Sequence, residues 1–314
     1  MPRVVRKQYQ KSAVTVIGSG RLGTALARAL ALSGYPIEAV VVRHSSNAGR
    51  SARLVGSNTK GLSASELHLL SRTNITIIAT PDGEIAGVAR RLAELQKDVA
   101  KGRTVLHTSG ALSSDSVLSP LAVVGFHVGS LHPLVSVSDP RTGAENLRGA
   151  FYCVEGDPVA RSIARAIVQD LGGHSFEIDS TSKPLYHAAA VMASGHLVAL
   201  FQLATEMLEV CGLTPKIARR VLLPLVESTV KNLSTTEPAQ ALTGTFARGD
   251  LATVKKHLQA LSTNDLDQAL AVYKVLGDRS LELARANGVN PRLLKRIGQT
   301  LQASAKQRPA KTKG

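Results

Sequence analysis

Val14-Thr-Val-Ile-Gly-Ser-Gly-Arg-Leu-Gly-Thr-Ala-Leu26 is the stretch that decides the fold. An apolar run with strand character leads into glycines at 18, 20 and 23, and Leu22, Leu26, Ala29 and Leu30 follow at helical spacing. Three glycines at this spacing between a strand and a helix form the fingerprint of a dinucleotide site. Gly18 permits the tight turn out of the strand, Gly20 lets the backbone approach a pyrophosphate, and Gly23 lets the helix pack against the sheet. The helix start then offers unpaired N–H groups and a positive dipole end to phosphate. Gly18, Ser19, Gly20, Arg21, Leu22 and Gly23 are therefore the expected pyrophosphate contacts.

Gly34-Tyr-Pro36 turns the chain into Ile37–Val42, a continuous apolar run suited to a buried parallel strand. An NAD-specific site places Asp or Glu near the end of this strand to bind the ribose hydroxyls. Here the strand runs into Arg43-His-Ser45-Ser. A planar guanidinium beside hydroxyls suits a 2′-phosphate, so Arg43 and Ser45 point to NADP in preference to NAD.

Further strands are expected at Ile75–Ala79, Thr104–His107, Ala122–Phe126, Ala150–Val154 and near Ser175–Ile178, with helices over Gly83–Leu95 and Pro158–Leu171. Strands alternating with helices predict an α/β domain with a doubly wound, Rossmann-type sheet over residues 12–180. Thr80 and Pro81, directly after the Ile75–Ala79 strand, fall along the cofactor crevice. His107 ends a strand. His127 and His132 are expected in a Gly/Ser/Pro-containing loop after the Ala122–Phe126 strand. Histidine titrates near neutrality and is the usual general acid–base. His132, restrained by Pro133, is the better candidate.

From Lys183 onward the pattern is helical. Pro184 opens a helix expected to run unbroken to Val210, because proline is tolerated in a first turn. Lys183, His187 and Ser194 share one face of it at helical spacing. Helices follow over Pro215–Ser234, around Leu251–Leu261, over Asp265–Ala286 and after Pro291, making a helical domain over residues 181–303. The polar loop Ala241–Asp250 carries Arg248, which suits an acidic substrate or an ion pair with Asp250.

The 314 residues are enough for two domains, and 44% hydrophobic content is globular in character. No apolar run of roughly 18 residues is evident, so no membrane span is expected. The N-terminal residues lack an apolar signal core. Cys153 and Cys211 stand alone and form neither a metal clip nor a disulfide framework, which fits a reducing cytoplasm. The net charge of +15 is concentrated in residues 1–11 and 292–314; residues 1–11 and 304–314 read as basic, solvated tails. With 3% aromatic residues and no Trp, platforms for stacking bases are scarce, and nucleic-acid binding is not expected.

The chain resembles a family that joins a Rossmann-like N-terminal domain to a helical domain of unknown function, the DUF2520 type. The resemblance is carried by Gly18–Leu26, Leu106–Ser113, Gly129–Leu134, Lys183–Ala190 and the Ala241–Asp250 loop. More widely it is similar to the superfamily of 6-phosphogluconate dehydrogenase, ketopantoate reductase, pyrroline-5-carboxylate reductase and prephenate dehydrogenase. That resemblance implies an active site between the two domains and a homodimer formed through the helical one. Lys183 matches the lysine of the Lys-x-x-x-Asn pair in the first two enzymes, with His187 at the asparagine place. His132-Pro133 matches the Gly-x-His-Pro loop of prephenate dehydrogenases, with Ser109 at the place of their site serine. Ser194-Gly-His196 only approximates their downstream Ser-His pair. Asn and Pro expected in the closer family at 195 and 245 are replaced by Gly195 and Thr245.

The expected function is an NADP-dependent oxidoreductase moving hydride to or from a small, anionic hydroxy, keto or imine compound. Lys183 or His132 would be the acid–base, with His187 and Ser109 orienting the substrate and Ser194 and Arg248 binding it. A non-catalytic NADP-binding sensor or structural protein, and a prephenate/arogenate dehydrogenase-like enzyme, are the alternatives. No metal is expected.

Overall fold

The computed structural model describes residues 11–70 and 73–303. The basic tails expected at 1–11 and 304–314 lie outside the described residues, apart from Lys11, whose ammonium is 2.8 Å from Asp170. The chain divides into two compact units, one ending at Ser194 and the other beginning at Gly195. The first unit extends beyond the expected boundary at residue 180 by taking in the helix that starts at Lys183.

In the first unit the strands are β1 (Val14–Ile17), β2 (Ile37–Val42), β3 (Lys60–Ser63), β4 (Ile75–Ile78), β5 (Thr104–His107), β6 (His127–Pro133), β7 (Phe151–Gly156) and β8 (His174–Phe176). Its helices are α1 (Arg21–Leu32), α2 (Ala48–Val55), α3 (Asp82–Gln96), α4 (Ser114–Val117), α5 (Ser119–Val123), α6 (Pro140–Asn146), α7 (Pro158–Asp170) and α8 (Lys183–Ala193). The strands form one sheet in the order β3-β2-β1-β4-β5-β6-β7-β8, parallel throughout except for the antiparallel β6–β7 pair. The order reverses direction at β1, which places a crevice outside the carboxyl ends of β1 and β4.

Both faces of the sheet are covered, so its strands are apolar at successive positions rather than at alternate ones. In β2, Val40 and Val42 pack on one side with Leu26 and Leu30 of α1 and Ile167 of α7. Ala39 and Val41 pack on the other with Ile85 and Leu92 of α3 and Leu121 of α5. Each fully buried Leu, Ile or Val contributes roughly 1.5–3 kcal/mol relative to exposure.

Two local expectations differ from the structure. The run Ala122–Phe126, expected as a strand, is not one: Ala122 and Val123 end α5, whose first turn holds Pro120, and Gly125 at φ 99° lies in the turn that follows. The strand comes next, as β6, so His127 and His132 lie on a strand rather than in a loop. The helix expected to run unbroken from Lys183 to Val210 is interrupted at Ser194, where φ is −123° and ψ −77°. The Ser194 hydroxyl donates back to the Ala190 carbonyl at 2.7 Å, and Gly195 follows without a side chain, a combination that breaks helices.

The second unit is all helical: α9 (Gly195–Val210), α10 (Pro215–Leu233), α11 (Pro238–Ala241), α12 (Gly244–Ala247), α13 (Leu251–Thr263), α14 (Asp267–Ala286) and α15 (Pro291–Ala303). Val254, Leu258, Leu281, Ala284, Leu294, Ile297 and Leu301 make its core. Contrary to the sequence reading, among the described residues one helical run, Ser180–Val210, is long and apolar enough by length and composition to cross a membrane, with a mean hydropathy of 1.5 over an 18-residue window. Alanines and polar residues interspersed among its leucines and valines hide it from a search for unbroken apolar runs.

Candidate active site

At the carboxyl edge of the sheet, Gly18–Gly20, Val42, Arg43, Thr80, Pro81 and Glu84 surround a cavity of about 320 Å³. Gly18 turns the chain at φ 111°, and a Cβ there would meet the Ala79 carbonyl oxygen at 2.4 Å. A Cβ on Gly23 would lie 2.0 Å from the Gly18 oxygen, so these two glycines are required by the protein itself. Gly20 is different: nothing lies within 4 Å of its Cβ position, and its φ of −63° suits any residue. Its bareness leaves room for something outside the protein. No side chain caps the start of α1, so its first N–H groups remain open, and the buried Thr80 hydroxyl has no partner among the described residues. These features fit a dinucleotide pyrophosphate.

Arg21 is exposed and Leu22 packs partly against the core, so of the two only Arg21 offers its side chain freely to solvent. Ser45 opens an exposed single turn after Arg43. The Arg43 guanidinium donates to Glu84 at 2.7 Å.

A second cluster adjoins the cavity along the same edge. Asp82, next to cavity-lining Pro81, accepts from the Ser109 hydroxyl at 2.9 Å. Ser109 also takes the Ala111 and Leu112 N–H groups, so its hydroxyl is fully engaged in shaping the turn after β5. Gly110 follows it. A Cβ on Gly110 would collide with His187 Nδ1 at 2.5 Å and with His132 Cε1 and Nε2 at 2.8 Å. The structure thus brings two expected site histidines together against one glycine, with ring centroids 5.6 Å apart.

His132 Nδ1 is 2.7 Å from the Tyr186 hydroxyl. Burial pushes Tyr186 up, as do the charge of and hydrogen bond to Cys153, so its hydroxyl keeps its proton. Burial, then the neighbouring His187 and Lys183, hold His132 down at about 4, so at neutral pH its ring is uncharged. Which of His132 Nδ1 and the Tyr186 hydroxyl donates in this bond is set by the His132 tautomer; the other ring nitrogen, Nε2, faces Gly110. His187 Nδ1 is buried and has no partner among the described residues.

Lys183 is not in the open. It is fully buried, its ammonium donating to Ser130 at 2.7 Å and to Glu155 at 3.3 Å, and burial lowers its pKa. Glu155 also accepts from the Ser114 N–H and hydroxyl at 2.8 and 2.9 Å. Buried His107 takes the Ser109 N–H on Nδ1, and its Nε2 faces Glu155 at 3.9 Å; burial, then Lys183 and His132, hold it at about 3. This network ties the first turn of α8 to β6 and β7 and so sets where Tyr186 and His187 stand. His127 lies apart, 3.3 Å from Asp157. Ser194 spends its hydroxyl on its own helix, and Arg248 is exposed in the second unit near Asp250, whose carboxyl is held low chiefly by its hydrogen bonds from Thr253 and less by Arg248.

Tyr186, Gly110, Glu155, Asp82 and Glu84 were not singled out from the sequence. Glu155 had a signal: it is an acid inside the otherwise apolar strand Phe151–Gly156. Tyr186 lies three residues after Lys183, hence on the same helix face.

The first unit is a Rossmann-type α/β domain and the second a helical one. The chain matches two family models, a Rossmann-like domain over residues 4–133 and the domain of unknown function DUF2520 over residues 150–280. Among solved structures it is similar to protein TM1727 from Thermotoga maritima, at 23% identity and a TM-score of 0.66, covering 87% of this chain and 99% of that one. It is similar to Plasmodium falciparum pyrroline carboxylate reductase with NADP bound, at 13% identity and 0.55, covering 88% and 99%. An imine reductase from Pseudomonas sp. matches at 19% identity and 0.56, covering 91% and 99%. No curated protein matches the chain.

Proposed function

We propose that this chain is an NADP-dependent oxidoreductase acting on a small keto/hydroxy or imine compound. The observation that carries this reading is the adjacency, within one unit, of the bare Gly18–Gly20 cavity and the His132–Tyr186–His187 cluster, joined through Asp82 and Ser109. The NADP and pyrroline-carboxylate and imine reductases to which the fold is similar support the same class.

The nicotinamide supplies the hydride chemistry when bound. Gly18, Ser19, Gly20 and the start of α1 hold the pyrophosphate, Arg43 and Ser45 the 2′-phosphate, and Thr80 and Pro81 the crevice wall. His132, uncharged, donates through Nε2 to the substrate oxygen or nitrogen as negative charge develops there. Tyr186 keeps that tautomer by donating to Nδ1. His187 Nδ1 supplies a free hydrogen-bonding position to a substrate atom or water. Lys183, with Glu155 and Ser130, holds α8 in place and is a positioning residue. Ser109 and Asp82 fix the loop between cavity and histidines. The protein works in the cytoplasm.

The apolar residues exposed on α9 and α10 are covered by a second copy of the chain. Leu197, Val198, Ile217, Val221 and Leu225 are all exposed, and Lys183 at the start of the long apolar run is locked to Glu155, which favours a protein partner over a lipid one.

The test is a screen of the full chain with NADPH against cyclic imines, 2-oxo acids and aldehydes, and with NADP against hydroxy acids, followed at the reduced-nicotinamide absorbance. Turnover that falls at least about a hundredfold in His132→Gln supports the reading. Saturable NADPH binding without turnover of any class favours the non-catalytic sensor.

A further inference from the structure

Arg43 and Glu84 come from different strand ends and meet across the mouth of the dinucleotide cavity. Arg43 follows β2 directly, and Glu84 sits in the first turn of α3 after β4. The Arg43 Nη2 to Glu84 Oε1 distance is 2.7 Å, and both residues line the same cavity as Gly18–Gly20. Both side chains are open to solvent, at 72% and 40%. A surface ion pair of this kind adds little to stability. Its position at the cavity mouth therefore matters more than its strength.

Glu84 sits in the first turn of α3, so its carboxylate lies at this rim beside the open start of the helix. The guanidinium that the cavity offers to an anion is already shared. We infer that Glu84 is a cofactor-selecting residue: it engages Arg43 in competition with a ribose 2′-phosphate and so limits the preference for NADP over NAD. The inference rests on the proposed NADP reading of Arg43. A 2′-phosphate must either displace Glu84 from Arg43 or share the guanidinium with it, bringing two anions to one rim; a ribose hydroxyl meets neither condition. Removing the Glu84 charge while keeping its shape therefore strengthens phosphate binding and leaves the unphosphorylated cofactor alone.

The experiment measures dissociation constants of NADPH and NADH by nicotinamide fluorescence, at fixed salt, for the full wild-type chain, Glu84→Gln and Arg43→Ala. Glu84→Gln is expected to bind NADPH roughly three- to tenfold more tightly and NADH within about twofold of wild type. A thermal melt unchanged in Glu84→Gln shows that the fold is intact, as an exposed pair implies. NADPH binding that stays the same or weakens, or NADH binding that tightens equally, overturns the role of Glu84. If Arg43→Ala leaves the NADPH-to-NADH ratio untouched, the NADP reading itself fails, whatever Glu84→Gln does. If Arg43→Ala abolishes the preference and Glu84→Gln changes nothing, only the inference about Glu84 is lost.

Discussion

The Lys183 ammonium lies 3.3 Å from the Glu155 carboxylate, and both side chains are buried. A lysine at the start of a helix faces the unfavourable end of its dipole. Glu155 offsets this, Ser130 accepts a second Lys183 N–H, and Ser114 donates its N–H and hydroxyl to Glu155. Breaking one side of such a pair strands the other charge, at about 3–5 kcal/mol. Lys183→Met and Glu155→Gln should each lower the unfolding free energy measured in urea by that order, and the double substitution should recover much of the loss. Additive single effects would show that the two side chains do not act as a pair.

The Gly18–Leu26 fingerprint was legible because each glycine answers a local demand: a turn, a close approach, a packing contact. The parallel strands were legible from their continuous apolar runs. Strand β6 was not, because Gly129, Ser130 and the two histidines dilute its apolar character, while the neighbouring Ala122–Phe126 run reads as strand yet is the end of α5 and the turn after it. The site residues were visible as types. What the sequence could not show is that Lys183 points inward to Glu155 while His187, one turn later, turns towards His132. That depends on the β6–β7 pairing, which places residues far apart in the chain beneath one helix.

Burial holds His107 at about 3 and His132 at about 4, against 6.5 for an ordinary histidine. As the pH falls below that ordinary value, the unfolded chain binds protons that the folded chain refuses. Stability is therefore fully present at neutral pH and is lost as the pH drops towards the folded values, by an order of a few kcal/mol. Urea midpoints should fall steadily from neutral pH to about pH 4, and His107→Gln should flatten part of that slope. A midpoint independent of pH over this window would mean that both rings are protonated in the folded protein.

In the proposed mechanism Tyr186 donates to His132 Nδ1 across their 2.7 Å contact. Tyr186→Phe should raise the His132 pKa and remove the bias towards the Nε2–H tautomer, both visible in nitrogen NMR of the imidazole. An unchanged tautomer and pKa would remove Tyr186 from the site.

Ile217, Val221 and Leu225 recur at one-turn spacing on α10 and are 49%, 52% and 63% exposed. Sizing chromatography should give a mass of two chains, and Val221→Glu with Leu225→Glu should shift it to one. A wild-type chain that elutes as a monomer contradicts the dimer.

The most direct measurement is a calorimetric titration of NADPH into the full chain and into Gly20→Val. Gly20 has open space at its Cβ position, so the variant should fold with an unchanged melt. The account predicts one saturable site per chain in the wild type and weakening by at least about a hundredfold in Gly20→Val. A wild-type chain that does not bind NADPH, or a Gly20→Val variant that binds it equally well, would contradict it.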